Sequence, residues 1–228
     1  MIFLGALLLA YAGRLQDSEK IISYEVSPKQ ISLYLKDENG EYINNFANLL
    51  TYAKRHKKSV VFAMNGGMYL EDFSPQGLFV QDGKLIKKVN TKSSDYGNFY
   101  MKPNGIFYIT KHNRAHILPT KKFHFSKKIR CATQSGPMLL IDGKIHHRFG
   151  KNSKSLHIRN GVGVLPNGKL LFAISKEPIN FYNFATFFKK HGCKNALYLD
   201  GSISRIYLPS QNITGQDALF GVIIAQMR

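Results

Sequence analysis

The feature that most constrains this chain is a turn pattern that recurs between short apolar runs. "QDGK" (81–84), "IDGK" (141–144) and "PNGK" (166–169) each set a glycine after a short polar residue. Two-residue hairpins favour that pairing because their turns need positive φ. Runs rich in Ile, Val, Phe, Tyr and Leu lie around them, at 30–36, 59–63, 77–81, 105–110, 137–141, 161–165, 169–174, 196–199 and 219–225. They have the length of strands. A hairpin joins antiparallel neighbours, so the sheet is expected to be largely antiparallel or mixed.

Two segments carry helical spacing instead. After Asn44 and Asn45, the residues Phe46, Leu49, Leu50 and Ala53 fall on one face. From about Asn180 to His191, Phe181, Phe184, Ala185 and Phe188 form an apolar stripe, with Asn180 as cap and Gly192 beyond the end. No repeat, low-complexity tract or linker divides the 228 residues. The expectation is one α+β domain over residues 13–228, with a few packed helices.

Residues 1–12 are set apart because "MIFLGALLLAYA" is a short apolar run ending in an A-x-A pattern. That reads as a cleaved signal peptide and predicts a periplasmic or secreted protein, although no basic residue precedes Arg14. The run is too short to span a bilayer, which takes about 20 apolar residues, so no transmembrane segment is expected after its removal. A buried terminal strand or helix is the other reading. Cys131 and Cys193 suit either a bridge, worth about 4 kcal/mol, or two small buried apolar side chains. They have neither a C-x-x-C spacing nor a histidine at ligand distance, which argues against zinc.

The charge balance is 32 Lys and Arg against 14 Asp and Glu, a net charge of +18. Such a field draws anionic partners, or else the lysines only solvate the surface; just 54–58 and 120–128 cluster. No RNA-binding fingerprint or helix-turn-helix pattern is present, so nucleic acid is not the expected partner.

Polar side chains stand against apolar strands in four places. In "FAMNGGMY" a strand ends at Asn65, and Gly66 and Gly67 permit close approach to the backbone. The Asn65 amide can donate to a sugar or phosphate oxygen. In "ATQSGPML", Ser135 and Gly136 precede an apolar run without a nucleophile elbow. In "LHIRNGVGV", His157 and Arg159 stand two apart, so a strand projects both from one face, where they can hold an anion. In "LYLDGSIS", Asp200 follows three apolar residues into a turn with Gly201, Ser202 and Ser204.

Together, "MNGGMY", "PQGLFV", "GNFYMKPNGIFY", "ATQSGPMLLIDGKI", "HIRNGVGV", "NFYNFATFF" and "NALYLDGSIS" resemble the phosphodiester glycosidase family in motif order over about residues 60–225. The likeness is to its bacterial exported branch; the family also holds the lysosomal enzyme that uncovers mannose-phosphate. One departure is Asp200-Gly201-Ser202-Ile203-Ser204, where the family's commoner form is D-G-G-G-S. The resemblance implies a hydrolase acting on a phosphorylated carbohydrate, cleaving between an anomeric carbon and a phosphate oxygen. It implies catalytic roles for Asp200, Arg159, His157 and Asn65. Gly66, Gly67, Ser135, Gly136, Gly201, Ser202 and Ser204 would contact substrate. No cofactor is expected: Asp200 with nearby carbonyls offers room for a divalent cation, but no ligand cluster is legible. The alternative is a non-catalytic envelope module that binds phosphate-bearing glycans.

Overall fold

The computed structural model describes residues 20–200, 203–215 and 218–228. The signal peptide expected over residues 1–12 lies outside them, as do Gly201 and Ser202. In chain order the strands are β1 (Ile21–Val26), β2 (Ile31–Tyr34), β3 (Val60–Asn65), β4 (Phe79–Gln81), β5 (Lys84–Lys87), β6 (Gly105–Thr110), β7 (Ala115–Pro119) and β8 (Ile129–Ser135). They continue as β9 (Met138–Ile141), β10 (Lys144–Ile145), β11 (Asn160–Val164), β12 (Leu170–Ser175), β13 (Ala196–Tyr198), β14 (Ile206–Tyr207) and β15 (Ile223–Met227). Among the described residues the α-helices are α1 (Phe46–Arg55) and α2 (Phe181–Lys190). Neither helix is long and apolar enough to cross a membrane.

The strands form three sheets, ordered β1-β12-β11-β13-β9-β10, β14-β3-β15-β2 and β5-β4-β8-β6-β7. Neighbours pair antiparallel, as the turns predict. At "QDGK" and "IDGK" both central residues take positive φ, 48° and 77° at Asp82 and Gly83, 48° and 76° at Asp142 and Gly143. That is the turn whose twist suits a tight hairpin. "PNGK" differs: only Gly168 turns left-handed, and Leu165 N–H closes a longer loop on the Lys169 carbonyl at 2.9 Å.

All three sheets contribute to one central core, with Phe62 and Ile224 from the second, Phe107 and Cys131 from the third, and Phe172 and Leu197 from the first. α2 covers the outer face of the first sheet, where Phe184 and Phe188 pack with Leu171 and Tyr198. α1 covers the outer face of the second with Phe46, Leu49 and Ala53. Asparagine caps both helices: Asn45 Oδ1 accepts from Asn48 N–H at 2.7 Å and Asn180 Oδ1 from Asn183 N–H at 2.9 Å. Gly163 makes the α2 contact possible, since a Cβ there would lie 2.7 Å from Cys193 Sγ and 2.8 Å from the Phe188 ring.

β1, β5, β7, β8, β10 and β14 lie outside the runs expected from sequence. β8 escaped because Thr133, Gln134 and Ser135 make it look half polar, yet all three are buried. Gln134 Oε1 accepts from the N–H groups of Leu78 and Asn90, each at 2.9 Å. A bonded polar side chain can be buried at little cost, and composition does not reveal which ones are bonded. Cys131 and Cys193 are both buried and unpaired, so the second reading of the cysteines holds.

Candidate active site

Three strand ends converge on Asp200. β3 ends at Asn65, β11 begins at Asn160, and the chain leaves β13 through Leu199 into Asp200. Alternation along that last segment turns Leu197 and Leu199 into the central core and Tyr198 toward α2. Asn65 and Asn160 are fully buried, and Asp200 is 4% exposed.

The two asparagines form a clamp around the carboxylate. Asn65 Nδ2 donates to Asp200 Oδ2 and to the Ile203 carbonyl. Its Oδ1 accepts from Asn160 Nδ2 at 2.9 Å and from Arg205 N–H at 2.7 Å. Asn160 Nδ2 also donates to the Asn65 carbonyl at 2.8 Å, and its Oδ1 accepts from Asp200 N–H at 3.1 Å. Two donors and two acceptor positions exhaust what a primary amide offers. Asn65 is thus committed to holding Asp200 and the turn behind it.

Asp200 lines a pocket of about 490 Å³, whose walls come from the loops after β3 and before β6. Tyr69, Tyr96 and Phe99 supply aromatic surface, and the charged lining residues are the carboxylates Glu71 and Asp200. Burial, with the negative charge of Asp200 adding to it, pushes the Tyr69 phenol up to about 12. Its hydroxyl therefore keeps its proton, and donates to the Leu219 carbonyl at 3.2 Å. Among the described residues no three His, Cys, Asp or Glu side chains gather as a metal site.

The other predicted residues divide into two groups. Ser135 and the glycines support the turn: Ser135 Oγ donates to the Leu199 carbonyl at 2.8 Å, and Gly67 N–H to the same carbonyl at 3.0 Å. A Cβ at Gly66 would meet Ile224, and one at Gly67, where φ is +98°, would meet Thr133. The space beside both glycines is filled by the protein's own side chains. Gly136 packs on Asn104 in the same way, and Ser204 Oγ donates to the Ile158 carbonyl at 3.1 Å.

His157 and Arg159 are not brought to the pocket. His157 is exposed and bridges to Ile179 outside the sheet. Arg159 is fully buried, donating through Nε to the Ile179 carbonyl at 2.7 Å and through Nη2 to the Ser155 carbonyl at 3.0 Å. Its guanidinium lies 3.5 Å from the Phe181 ring centre, a cation–π contact. Phe181 continues a column of rings through Phe149 at 4.7 Å, His146 at 4.7 Å and His147 at 4.9 Å. Burial lowers the guanidinium's hold on its proton, offset by neighbouring Tyr198. Tyr198 is pushed up to about 12 by burial, with Arg159 lowering and Asp200 raising it.

Asn160 and the pocket walls escaped the sequence reading. Asn160 follows Arg159 directly, so alternation sends it to the opposite face, toward Asp200. A strand start one residue earlier would have found it. The wall residues sit in loops with no pattern that marks them.

Comparison with known proteins agrees with the motif order. The model of a family described as phosphodiester glycosidase matches residues 58–215. The uncharacterised protein YigE of Escherichia coli K12 is 36% identical over 209 residues, covering 90% of this chain and 81% of that protein. Among solved structures, the zebrafish N-acetylglucosamine-1-phosphodiester alpha-N-acetylglucosaminidase catalytic domain, auto-inhibited by its pro-peptide, aligns with a TM-score of 0.63. It is 15% identical, over 90% of this chain and 81% of that one. A hypothetical protein from Synechocystis aligns with a TM-score of 0.54 at 14% identity, over 91% of this chain and 59% of that one. Both structural likenesses speak for the fold.

Proposed function

The chain belongs to the phosphodiester glycosidase family, and from that premise we propose that it hydrolyses the bond between a sugar's anomeric carbon and a phosphodiester oxygen. The observation that carries this reading is Asp200, a nearly buried carboxylate clamped by Asn65 at the wall of a sugar-sized pocket. Water and mobile hydrogen bonds do not position a carboxylate so closely, and preorganisation of this kind is what a reacting group requires.

The sugar ring occupies the pocket, with its apolar face against Tyr69 or Phe99 and its anomeric carbon toward Asp200. Attack from the Asp200 side sets the departing phosphate on the opposite side of the anomeric carbon, away from the carboxylates and toward the mouth. There the field of a +18 chain favours it. Phosphate leaves readily, so the reaction needs less proton donation than an ordinary glycoside. Asp200 acts as the nucleophile or as the base that activates water. Asn65 and Asn160 are positioning residues, and Ser135, Gly66, Gly67, Gly136 and Ser204 build the turn that carries Asp200. Gly201 and Ser202 follow it directly in sequence. Arg159 packs on Phe181 and Tyr198 behind Asp200, and His157 stays outside the pocket. The short apolar run with an A-x-A pattern at residues 1–12 supports a periplasmic or secreted setting for this activity.

The test is a panel of sugar-1-phosphodiesters, with N-acetylglucosamine-1-phospho-methylmannoside among them, assayed for free sugar. Release by the wild type and none by Asp200→Asn, which keeps the side chain's shape, supports the reading. Equal release by both removes Asp200 from the chemistry. Binding without release by either returns the protein to the glycan-binding module.

A further inference from the structure

The charges lining the Asp200 pocket run against the composition of the chain. Lys and Arg outnumber Asp and Glu by 32 to 14. Three other cavities carry lysines: Lys20 and Lys190 beside Glu177, Lys194, and Lys29 with Lys58. The Asp200 pocket carries none. Its charged lining residues are Glu71 and Asp200, set among the rings of Tyr69 and Phe99 and the amides of Gln76 and Asn98.

The two carboxylates differ in what holds them. Asp200 is clamped by Asn65, whereas Glu71 is exposed and its carboxylate has no hydrogen bond or ion pair among the described residues. Its neighbour Asp72 is engaged, accepting from Ser74 N–H at 2.9 Å. The Gln76 and Asn98 side chains are half-buried and make no hydrogen bond among the described residues. Asn65, Asn160 and Gln134, by contrast, are committed to the protein through both ends of their amides. On the segment that supplies Asn98 and Phe99, Lys92 is paired with Asp95 at 2.5 Å. Lys102 Nζ lies over the Phe99 and Tyr100 rings, 5.8 Å and 5.5 Å from their centres. Neither lysine enters the lining. A free carboxylate beside aromatic faces attracts an ammonium and repels a second acid, and the fixed charge of Asp200 adds to both effects. Unengaged amides, each both donor and acceptor, suit hydroxyl groups.

We propose that Glu71 makes the pocket selective for an amino sugar, its carboxylate receiving the sugar's ammonium while Gln76 and Asn98 read hydroxyl groups. The phosphodiester substrates then narrow to those whose sugar carries a free amine, and acidic sugars are excluded. Such a substrate is zwitterionic, with its ammonium inside the pocket and its phosphate at the mouth, where the field of the +18 chain favours it. This substrate class rests on the glycosidase reading, whereas the sugar preference is a property of binding alone.

Titration calorimetry with non-cleavable ligands tests it without turnover. The ligands are methyl C-glycosyl phosphonates of glucosamine, glucose and glucuronic acid, in which a methylene replaces the anomeric oxygen. At about pH 6 an amine that titrates near about 8 is charged. There the wild type should bind the glucosamine ligand about tenfold tighter than the glucose ligand, with the glucuronic acid ligand weakest. Glu71→Gln keeps the shape of an exposed side chain, so its thermal midpoint should match the wild type while the preference falls to within about twofold. Repeating the wild-type titration at about pH 9.5, where the amine is neutral, should erase the preference in the same way. Equal binding of the glucosamine and glucose ligands by the wild type overturns the proposal, and so does binding of neither. A folded Glu71→Gln that keeps the preference overturns the assignment to Glu71. Ranked binding without release of sugar from a glucosamine-1-phosphodiester would sink the hydrolase reading and leave the selectivity standing. Release of sugar without the ranking would do the reverse.

Discussion

Asn160 offers the sharpest test of the clamp, because its side chain touches no surface and its whole effect runs through named hydrogen bonds. Asn160→Ala removes donors to the Asn65 carbonyl at 2.8 Å and to Asn65 Oδ1 at 2.9 Å, and the acceptor for Asp200 N–H at 3.1 Å. Two buried main-chain groups, the Asp200 N–H and the Asn65 carbonyl, lose those partners. At about 1–3 kcal/mol for each unsatisfied group, the variant loses about 2–6 kcal/mol. For a chain of this size that lowers the thermal midpoint by roughly 5–20 °C. Asn160→Asp separates charge from shape. Its new oxygen faces two oxygens and stands near Asp200, so its folded pKa lies above the unfolded value of about 3.9. A raised acid is stabilising only while protonated, so relative to Asn160→Ala this variant is best at low pH. It then loses ground as pH rises through the folded value. Thermal unfolding of both variants between about pH 4 and pH 8, the range where such a raised acid titrates, reads the difference. A midpoint within about 2 °C of wild type for Asn160→Ala, against the shift just worked, would falsify the clamp.

Three further outcomes follow from packing and charge. Burial pushes both Cys131 and Cys193 up to about 12, so neither thiol should react with Ellman's reagent at pH 8 until the protein is unfolded; fast labelling of the native chain would contradict their burial. Gly163→Ala should cost about 1–3 kcal/mol, because its Cβ meets Cys193 Sγ and the Phe188 ring inside contact distance; urea midpoints equal to wild type would show that α2 shifts freely. His146 is held down to about 4, first by burial and then by the charge of His147. Its Nε2 lies 3.1 Å from the Lys102 carbonyl and its Nδ1 accepts from Arg148 N–H at 3.2 Å, which suits the neutral ring. The unfolded chain binds that proton first, so stability should fall as pH drops from about 6.5 toward about 4; a His146→Gln variant with an unchanged slope over that window would refute it.

Much of the architecture was legible in the sequence because its signals are local. A short polar residue followed by glycine sets a hairpin wherever it stands, and "QDGK" and "IDGK" turn as their residues require. The phenylalanine stripe of α2, its Asn180 cap and the glycine beyond its end are all contained within one stretch of chain. Asp200 was legible for a related reason: a carboxylate at the end of an apolar strand is costly unless something holds it. The identity of that holder was not local. Asn65 and Asn160 lie far from Asp200 in sequence, and only the pairing of β11 with β13 and the end of β3 bring the amides together.

The sequence by itself determined the family, the antiparallel habit of the strands, helices α1 and α2, and the position of Asp200 at the end of an apolar strand. It did so because turn chemistry, periodicity and motif order are carried by neighbouring residues. Only the tertiary structure decided which polar side chains share a site. It set Asn160, the first residue of β11, at the clamp and turned Arg159, the residue before the strand, to the opposite side against Phe181. It also assembled the pocket from loops after β3 and before β6. Those contacts depend on how three sheets close around one core, and no local segment of the chain encodes that closure.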